Sequence, residues 1–253
     1  MKGQKRRLTG LWLAVAFALA PQLSSAEAQP LPIGKPLELS VPGDRNLRVT
    51  HADLDGPASR AAIVYLPGMC GNPKAADPWV DLAAARATVI VVRANIPCKD
   101  RPGYRWPRDV NLIQERIARA LRRVKSERGG QLDTSSATLI GYSQGAHRAE
   151  RLAERFPQKY PTLVLGGPPT APEVQRLFRA RRVAVLGGEL ENSDHMQRGT
   201  SALQAANLQA RFFLLPQAHH GSYGPSGRAV MKDVLSWLYA RQGSSATASK
   251  GRR

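Results

Sequence analysis

The sequence predicts an α/β domain in which a mostly parallel sheet is covered by helices on both faces. Two observations carry this expectation. Between residues 61 and 239, short continuous apolar runs alternate with stretches of helical periodicity, the pattern of strands buried on both faces. One of those runs, Ala137-Thr138-Leu139-Ile140, passes directly into a helix former's sequence through Gly141-Tyr142-Ser143-Gln144-Gly145. At 253 residues with 42% hydrophobic content, the chain is long enough for one sizeable domain with a full core.

The amino-terminal residues read as something else. Lys2, Lys5, Arg6 and Arg7 precede an apolar run from Leu11 to Ala20, followed by Pro21 and the small-residue site Ala26-Glu27-Ala28. That order is the pattern of a secretory signal peptide over residues 1–28, and the apolar run is short for a bilayer span. The expected folded domain is 29–242, and the expected compartment is periplasmic or secreted. Residues 36–52 suggest one or two short strands polar enough for a sheet edge.

From there the elements follow in order. Residues 61–66 form a continuous apolar strand, then a turn-rich loop, Pro67-Gly68-Met69-Cys70-Gly71-Asn72-Pro73. A helical stretch at 79–86 leads to the strand 87–92, and residues 94–107, with Pro97, Pro102 and Gly103, look irregular. Residues 110–124 place Val110, Ile113, Ile117, Leu121 and Val124 on one helical face, with Arg116, Arg119, Arg122 and Arg123 expected to turn outward. After the strand at 137–140 and helix 146–155 come strand 162–165, helix 171–181, strand 183–186, helix 197–208, strand 211–215 and helix 228–239. The polar tail 243–253 is expected to be disordered. No internal repeat is present, which leaves one domain, expected to act as a monomer.

Charge bounds the partners. The formal net charge is +18; residues 1–28 hold four basic side chains and one acid, so the remainder keeps +15. Such a balance draws a protein loosely toward anionic cell-envelope surfaces. The basic residues are nevertheless spread along the chain, and no zinc-finger spacing, aromatic RNA-binding strand pair or basic heptad helix is present, so nucleic acid is not an expected partner. Cys70 and Cys98 each follow an apolar strand, and neighbouring parallel strands would bring those ends together. In an exported protein the pair is expected to be a disulfide. Two thiols without adjacent histidines do not make a zinc site, and no metal or organic cofactor is expected.

The glycine-flanked serine has the context of a nucleophile elbow: strand, Gly-x-Ser-x-Gly, helix. A strand turned abruptly into a helix holds its central residue strained, so the flanking residues must lack a Cβ. Ser143 would stand exposed at the carboxyl end of a parallel strand, with the first amides of the helix aimed at it. A serine hydroxyl needs a base to take its proton, and imidazole suits that task.

From about residue 60 to 240 the chain resembles the α/β-hydrolase superfamily, in the compact form of small esterases and dienelactone-hydrolase-like proteins. The resemblance implies a chain order of nucleophile, acid, histidine. It places the acid in Gly187-Gly188-Glu189-Leu190-Glu191-Asn192-Ser193-Asp194-His195, where spacing after a glycine selects Glu191, with Asp194 and then Glu189 as alternatives. It places the histidine in Pro216-Gln217-Ala218-His219-His220-Gly221, before the glycine, which selects His220 over His219. It also implies an oxyanion hole from the backbone amides of Met69 and Gln144. Gly166 to Arg182 leaves room for a single connecting helix, so no cap domain is expected. Tyr104, Trp106, Pro168, Pro169, Leu190 and Tyr223 are candidates for the rim. The expected function is an exported serine hydrolase of carboxylic esters, small or polymeric. The alternative is a catalytically silent protein of the same fold that holds an anionic envelope polymer.

Overall fold

The computed structural model describes residues 37–41, 44–52 and 60–240; the leader expected at 1–28 and the tail expected at 243–253 lie outside them. The chain opens with β1 (Leu37–Val41) and β2 (Asp44–Ala52), then β3 (Ala62–Leu66), α1 (Val80–Ala84) and β4 (Thr88–Val92). A two-residue ribbon follows, β5 (Ile96–Pro97) with β6 (Tyr104–Arg105), and then α2 (Val110–Glu127), β7 (Ala137–Tyr142) and α3 (Gln144–Arg155). The remainder is β8 (Thr162–Gly166), α4 (Val174–Leu177), β9 (Arg182–Gly188), α5 (Asp194–Ala205), β10 (Ala210–Leu215) and α6 (Gly227–Tyr239).

Eight strands form one sheet in the order β1-β2-β4-β3-β7-β8-β9-β10. The six from β4 to β10 in that order run parallel, while β1 and β2 add an antiparallel edge against β4. Strands β3, β4, β7 and β9 are buried along their whole length, which is why they read as unbroken apolar runs. β7 lies inside the sheet between β3 and β8, so its carboxyl end is flanked by the loops that follow both neighbours.

Helices cover both faces. On one, Ile113, Ile117 and Val124 of α2, Leu152 of α3, Leu177 of α4 and Leu203 of α5 pack with Leu66, Leu139 and Leu165. On the other, Trp79 and Val80 at the start of α1 and Met231, Val234 and Leu235 of α6 pack with Tyr65, Ile140 and Leu186. Each such fully buried side chain stabilises the fold by about 1.5–3 kcal/mol relative to exposure. Arg182 opens β9 in a buried position, and its guanidinium donates to the carbonyls of Trp237 (2.6 Å) and Leu238 (2.8 Å) at the end of α6. A charge at a helix carboxyl end is thereby paired with the carbonyls that most need a donor. Among the described residues no helix is long and apolar enough to cross a membrane.

Cys70, after β3, and Cys98, after β4, form a disulfide with Cα atoms 6.1 Å apart. The amide of Cys70 donates to the Tyr104 carbonyl (2.8 Å) and that of Cys98 to the Gly103 carbonyl (3.1 Å), so the ribbon expected to be irregular is tied to the loop after β3. Gly103 has φ 113°, and a Cβ there would stand 2.9 Å from the Cys70 carbonyl oxygen.

Arg116 of α2, expected to turn outward, is instead buried, its Nε donating to the Arg93 carbonyl at 2.7 Å, and two helices depart from the expected bounds. The stretch 171–181 forms only the four residues of α4: it starts late, after Pro172 packed against Gly199 of α5 and Glu173 extended at φ −102°, ψ 127°, and it ends at Leu177, whose carbonyl accepts the Ala180 amide in a turn at 2.7 Å. The helix expected at 197–208 starts earlier, at Asp194, and ends at Ala205; Asn207, at φ 61°, has left the helical region.

Two outcomes follow for stability. Replacing both cysteines by alanine should lower the unfolding free energy in denaturant titration by about 3 kcal/mol, because the bond closes a span of 28 residues. The second concerns Glu150, buried on the inner face of α3, which accepts the Glu173 amide at 2.7 Å and has the Arg176 guanidinium 3.8 Å away. Burial outweighs both and pushes its carboxyl from 4.5 to about 7. The folded state then holds a proton that the unfolded chain has released, so this carboxyl's contribution is lost as pH rises from 4.5 through about 7. Glu150→Gln should flatten that part of the stability profile; an unchanged slope between those values would refute the assignment.

Candidate active site

Ser143 joins β7 to α3 with φ 52° and ψ −117°, a backbone region that side chains rarely adopt. What holds it there is close packing on either side. A Cβ on Gly145 would lie 2.0 Å from the Leu66 carbonyl oxygen, and one on Gly141 would lie 2.3 Å from the Gly145 carbonyl oxygen. Only glycine fits either position. The Ser143 amide donates to the Gly166 carbonyl at 2.7 Å, fixing the turn to the end of β8.

The histidine and acid loops follow β10 and β9, which lie farther along the same edge of strand ends. They are laced together. Amides of Glu189 and Leu190 donate to the carbonyls of Leu215 and Ala218 (3.0 Å each), and the Gln217 amide donates to the Glu189 carboxylate (2.9 Å). Gly188 presses so closely on Ala218 that a Cβ would meet its carbonyl oxygen at 2.3 Å. This lacing presents His220 to Ser143. His220 Nε2 is 3.0 Å from Ser143 Oγ, and His220 Nδ1 is 2.7 Å from Glu191 Oε2. The other Glu191 oxygen accepts the Gly188 amide at 2.7 Å, so the glutamate folds back over its own turn.

The residues weighed beside these three lie elsewhere. Asp194 is exposed in the first turn of α5, and Glu189 holds Gln217 as described. His219 is exposed on the loop beside His220, and the His195 ring bonds the Pro168 carbonyl at 2.8 Å. His147 lies on α3, where burial and then Arg148, Arg176 and Arg151 hold its imidazole below the usual range.

The loop after β3 passes over the serine. A Cβ on Gly68 would come 3.3 Å from Ser143 Cβ and 3.9 Å from its Oγ, and Met69, the next residue, is exposed. Gln144 supplies the first residue of α3. A strap overlooked in the sequence ties these two pieces together: Trp106 donates its backbone N–H to Gln144 Oε1 (2.8 Å) and its indole N–H to the Pro67 carbonyl (2.7 Å). Trp106 is therefore a buried brace and not a rim residue. Tyr223 is buried as well, its ring packed on Trp79 and Tyr142. No local signal in the sequence marks either role, since each depends on a partner distant along the chain.

Of the other rim candidates, Leu190 and Pro169 are exposed and Pro168 is buried. Tyr104 lies under the Arg93 guanidinium, 4.6 Å from its ring centre, and both line a cavity of about 210 Å³ with Pro67, Gly68, Gly71, Ala94 and Gly103. A wider cavity of about 770 Å³ opens among Ala61, Thr138, Thr162 and Arg182, at the opposite ends of the strands and away from Ser143. The His220 side chain remains 50% exposed and no cap domain covers it among the described residues.

No protein-family model and no curated protein matches the chain. Solved structures do resemble it. The carboxylesterase of Bacillus cereus matches with a TM-score of 0.57 at 18% identity, covering 76% of this chain and 95% of that one. MGS-M1, an α/β-hydrolase enzyme from a Medee basin deep-sea metagenome library, matches at 0.55 and 18%, covering 80% and 93%. The dienelactone hydrolase of Anabaena variabilis matches at 0.55 and 14%, covering 81% and 95%. At these identities the likeness is one of fold: the chain has the α/β-hydrolase fold.

The packing of the turn makes its own forecast. Gly145→Ala should cost about 1–3 kcal/mol or more in stability, as overpacking does where the obstacle is backbone. A variant with wild-type thermal stability would show that the turn is looser than the contacts of Gly145 require.

Proposed function

We propose that this protein is an exported serine hydrolase that cleaves carboxylic esters through an acyl-enzyme. The observation that carries the reading is the unbroken hydrogen-bonded chain from Glu191 through His220 to Ser143. In a first half-reaction His220 Nε2 takes the hydroxyl proton as Ser143 Oγ attacks the ester carbonyl, and Glu191 holds Nδ1–H and stabilises the imidazolium. The carbonyl oxygen gathers negative charge, which the backbone amides of Met69 and Gln144 receive; such donors typically contribute about 3–4 kcal/mol each to lowering the barrier. The C–O bond to the alcohol then breaks and His220 returns the proton to it. In the second half-reaction water takes the place of the alcohol: it attacks the acyl carbon as His220 accepts its proton, the bond to Ser143 Oγ breaks, the acid departs and His220 returns the proton to Ser143 Oγ.

Support for ester substrates comes from the esterases that share the fold. The open rim suits esters that reach the site from water, small or carried on a polymer. Export is supported by the leader pattern and by the disulfide, a bond at home in oxidising compartments. An assembled proton relay favours the hydrolase over a silent binding protein.

A fluorophosphonate probe checks the reading. It should label wild-type protein at Ser143, fail on Ser143→Ala, and label His220→Ala more slowly by about three orders of magnitude. Glu191→Gln should lower turnover of a p-nitrophenyl ester by a factor of the order of 10³–10⁴, while Asp194→Asn leaves it near wild type. An unlabelled wild-type protein would reject the enzyme, and the reverse ranking of the two acids would reassign the carboxylate.

A further inference from the structure

Between Gly141 and Ser143 stands Tyr142, whose side chain the hydrolytic reading does not use. Its hydroxyl accepts the Gly221 amide at 3.0 Å and donates to the Ser222 carbonyl at 3.3 Å. Its ring packs against the His220 imidazole with centres 5.8 Å apart, and against Tyr223 at 5.4 Å. Gly167, at φ 50°, comes so near both rings that a Cβ there would lie 3.1 Å from His220 Cε1 and 3.4 Å from Tyr142 Cε1. The loop itself has little regular structure: Gln217, Gly221 and Gly224 all have positive φ. It is held before His220 by the Glu189 carboxylate on the Gln217 amide and by the Leu190 amide on the Ala218 carbonyl, and after it by the Tyr142 phenol on the Gly221 amide and by the Ser222 amide on the His219 carbonyl.

We propose that Tyr142 is a positioning residue: from the strand that carries Ser143, its phenol latches the histidine loop and fixes His220 at the height of the serine hydroxyl. The nucleophile and its base are thereby indexed to one strand, so that a shift of β7 moves both. Burial, the largest influence, pushes the phenol up to about 12, which keeps the proton given to Ser222 in place around neutral pH. The inference rests on the hydrolase reading, because a latch for His220 matters only if His220 takes the serine proton.

The test compares Tyr142→Phe, which removes one oxygen and keeps the ring, with Tyr239→Phe. Tyr239 also shares its hydroxyl with a β7 side chain, Thr138 at 3.0 Å, but at the far end of the strand. With p-nitrophenyl acetate, Tyr142→Phe should lower kcat roughly ten- to a hundredfold with KM within about twofold of wild type, and label slowly but completely with the fluorophosphonate. Tyr239→Phe should lose thermal stability alone. The proton shared by His220 and Glu191 should give a far-downfield NMR resonance in wild type and Tyr239→Phe, broadened or lost in Tyr142→Phe. Wild-type kcat in Tyr142→Phe, or equal losses in both variants, overturns the latch. If wild-type protein never labels, the hydrolase reading fails separately. The resonance then decides: its loss in Tyr142→Phe alone supports the latch, and its persistence there overturns it.

Discussion

The backbone of Ser143, held at φ 52° and ψ −117°, is the constraint on which the rest of the structure depends. Such a conformation costs of order 1–3 kcal/mol and persists only where the surroundings over-determine it. Here the surroundings are other backbones. Gly145 rests on the carbonyl of Leu66, Gly141 on the first turn of α3, and the Ser143 amide on Gly166. β7 must therefore lie between β3 and β8, in register with both, for the turn to exist at all. The architecture of the sheet and the strain at one residue are two sides of the same packing.

Parallel strands then do the remaining work of assembly. Because β3, β7, β9 and β10 all run the same way, the loops after them emerge on one side. Each is pinned by contacts to the next: Trp106 joins the loop after β3 to α3, Glu189 joins the acid loop to the histidine loop, and Gly188 allows those two loops to touch. Glu191 reaches His220 with one oxygen while its second accepts the Gly188 amide of its own turn, which takes up the extra length of a glutamate. Arrangement of this kind spares the proposed reaction much of the cost of bringing its groups together.

Much of this was legible in the sequence, for identifiable reasons. Buried parallel strands are apolar throughout, so the runs at 61–66 and 87–92 announce themselves, and a serine between two glycines where a strand meets a helix is what a strained nucleophile turn demands. Cys70 and Cys98 were pairable because each follows one of two neighbouring strands. Ser143, His220 and Glu191, picked out by the motif and by the family's chain order, are the three side chains that the structure brings into hydrogen-bonding reach. Illegible were the roles set by distant partners. Trp106 reads as a rim aromatic until its indole is seen on Pro67, and Tyr142 occupies a position of the motif that carries no residue preference until its phenol is seen on Gly221. The helix expected over 171–181 starts too early because composition says nothing of Pro172 wedged against Gly199.

The most direct measurement is a rapid acid quench of the protein mixed with a p-nitrophenyl ester, followed by peptide mass analysis. The account predicts a burst of nitrophenol equal to the enzyme present and an acyl group's mass on the peptide that contains Ser143. Release of nitrophenol without a burst and without added mass on that peptide, or an acyl group found on another residue, would contradict it.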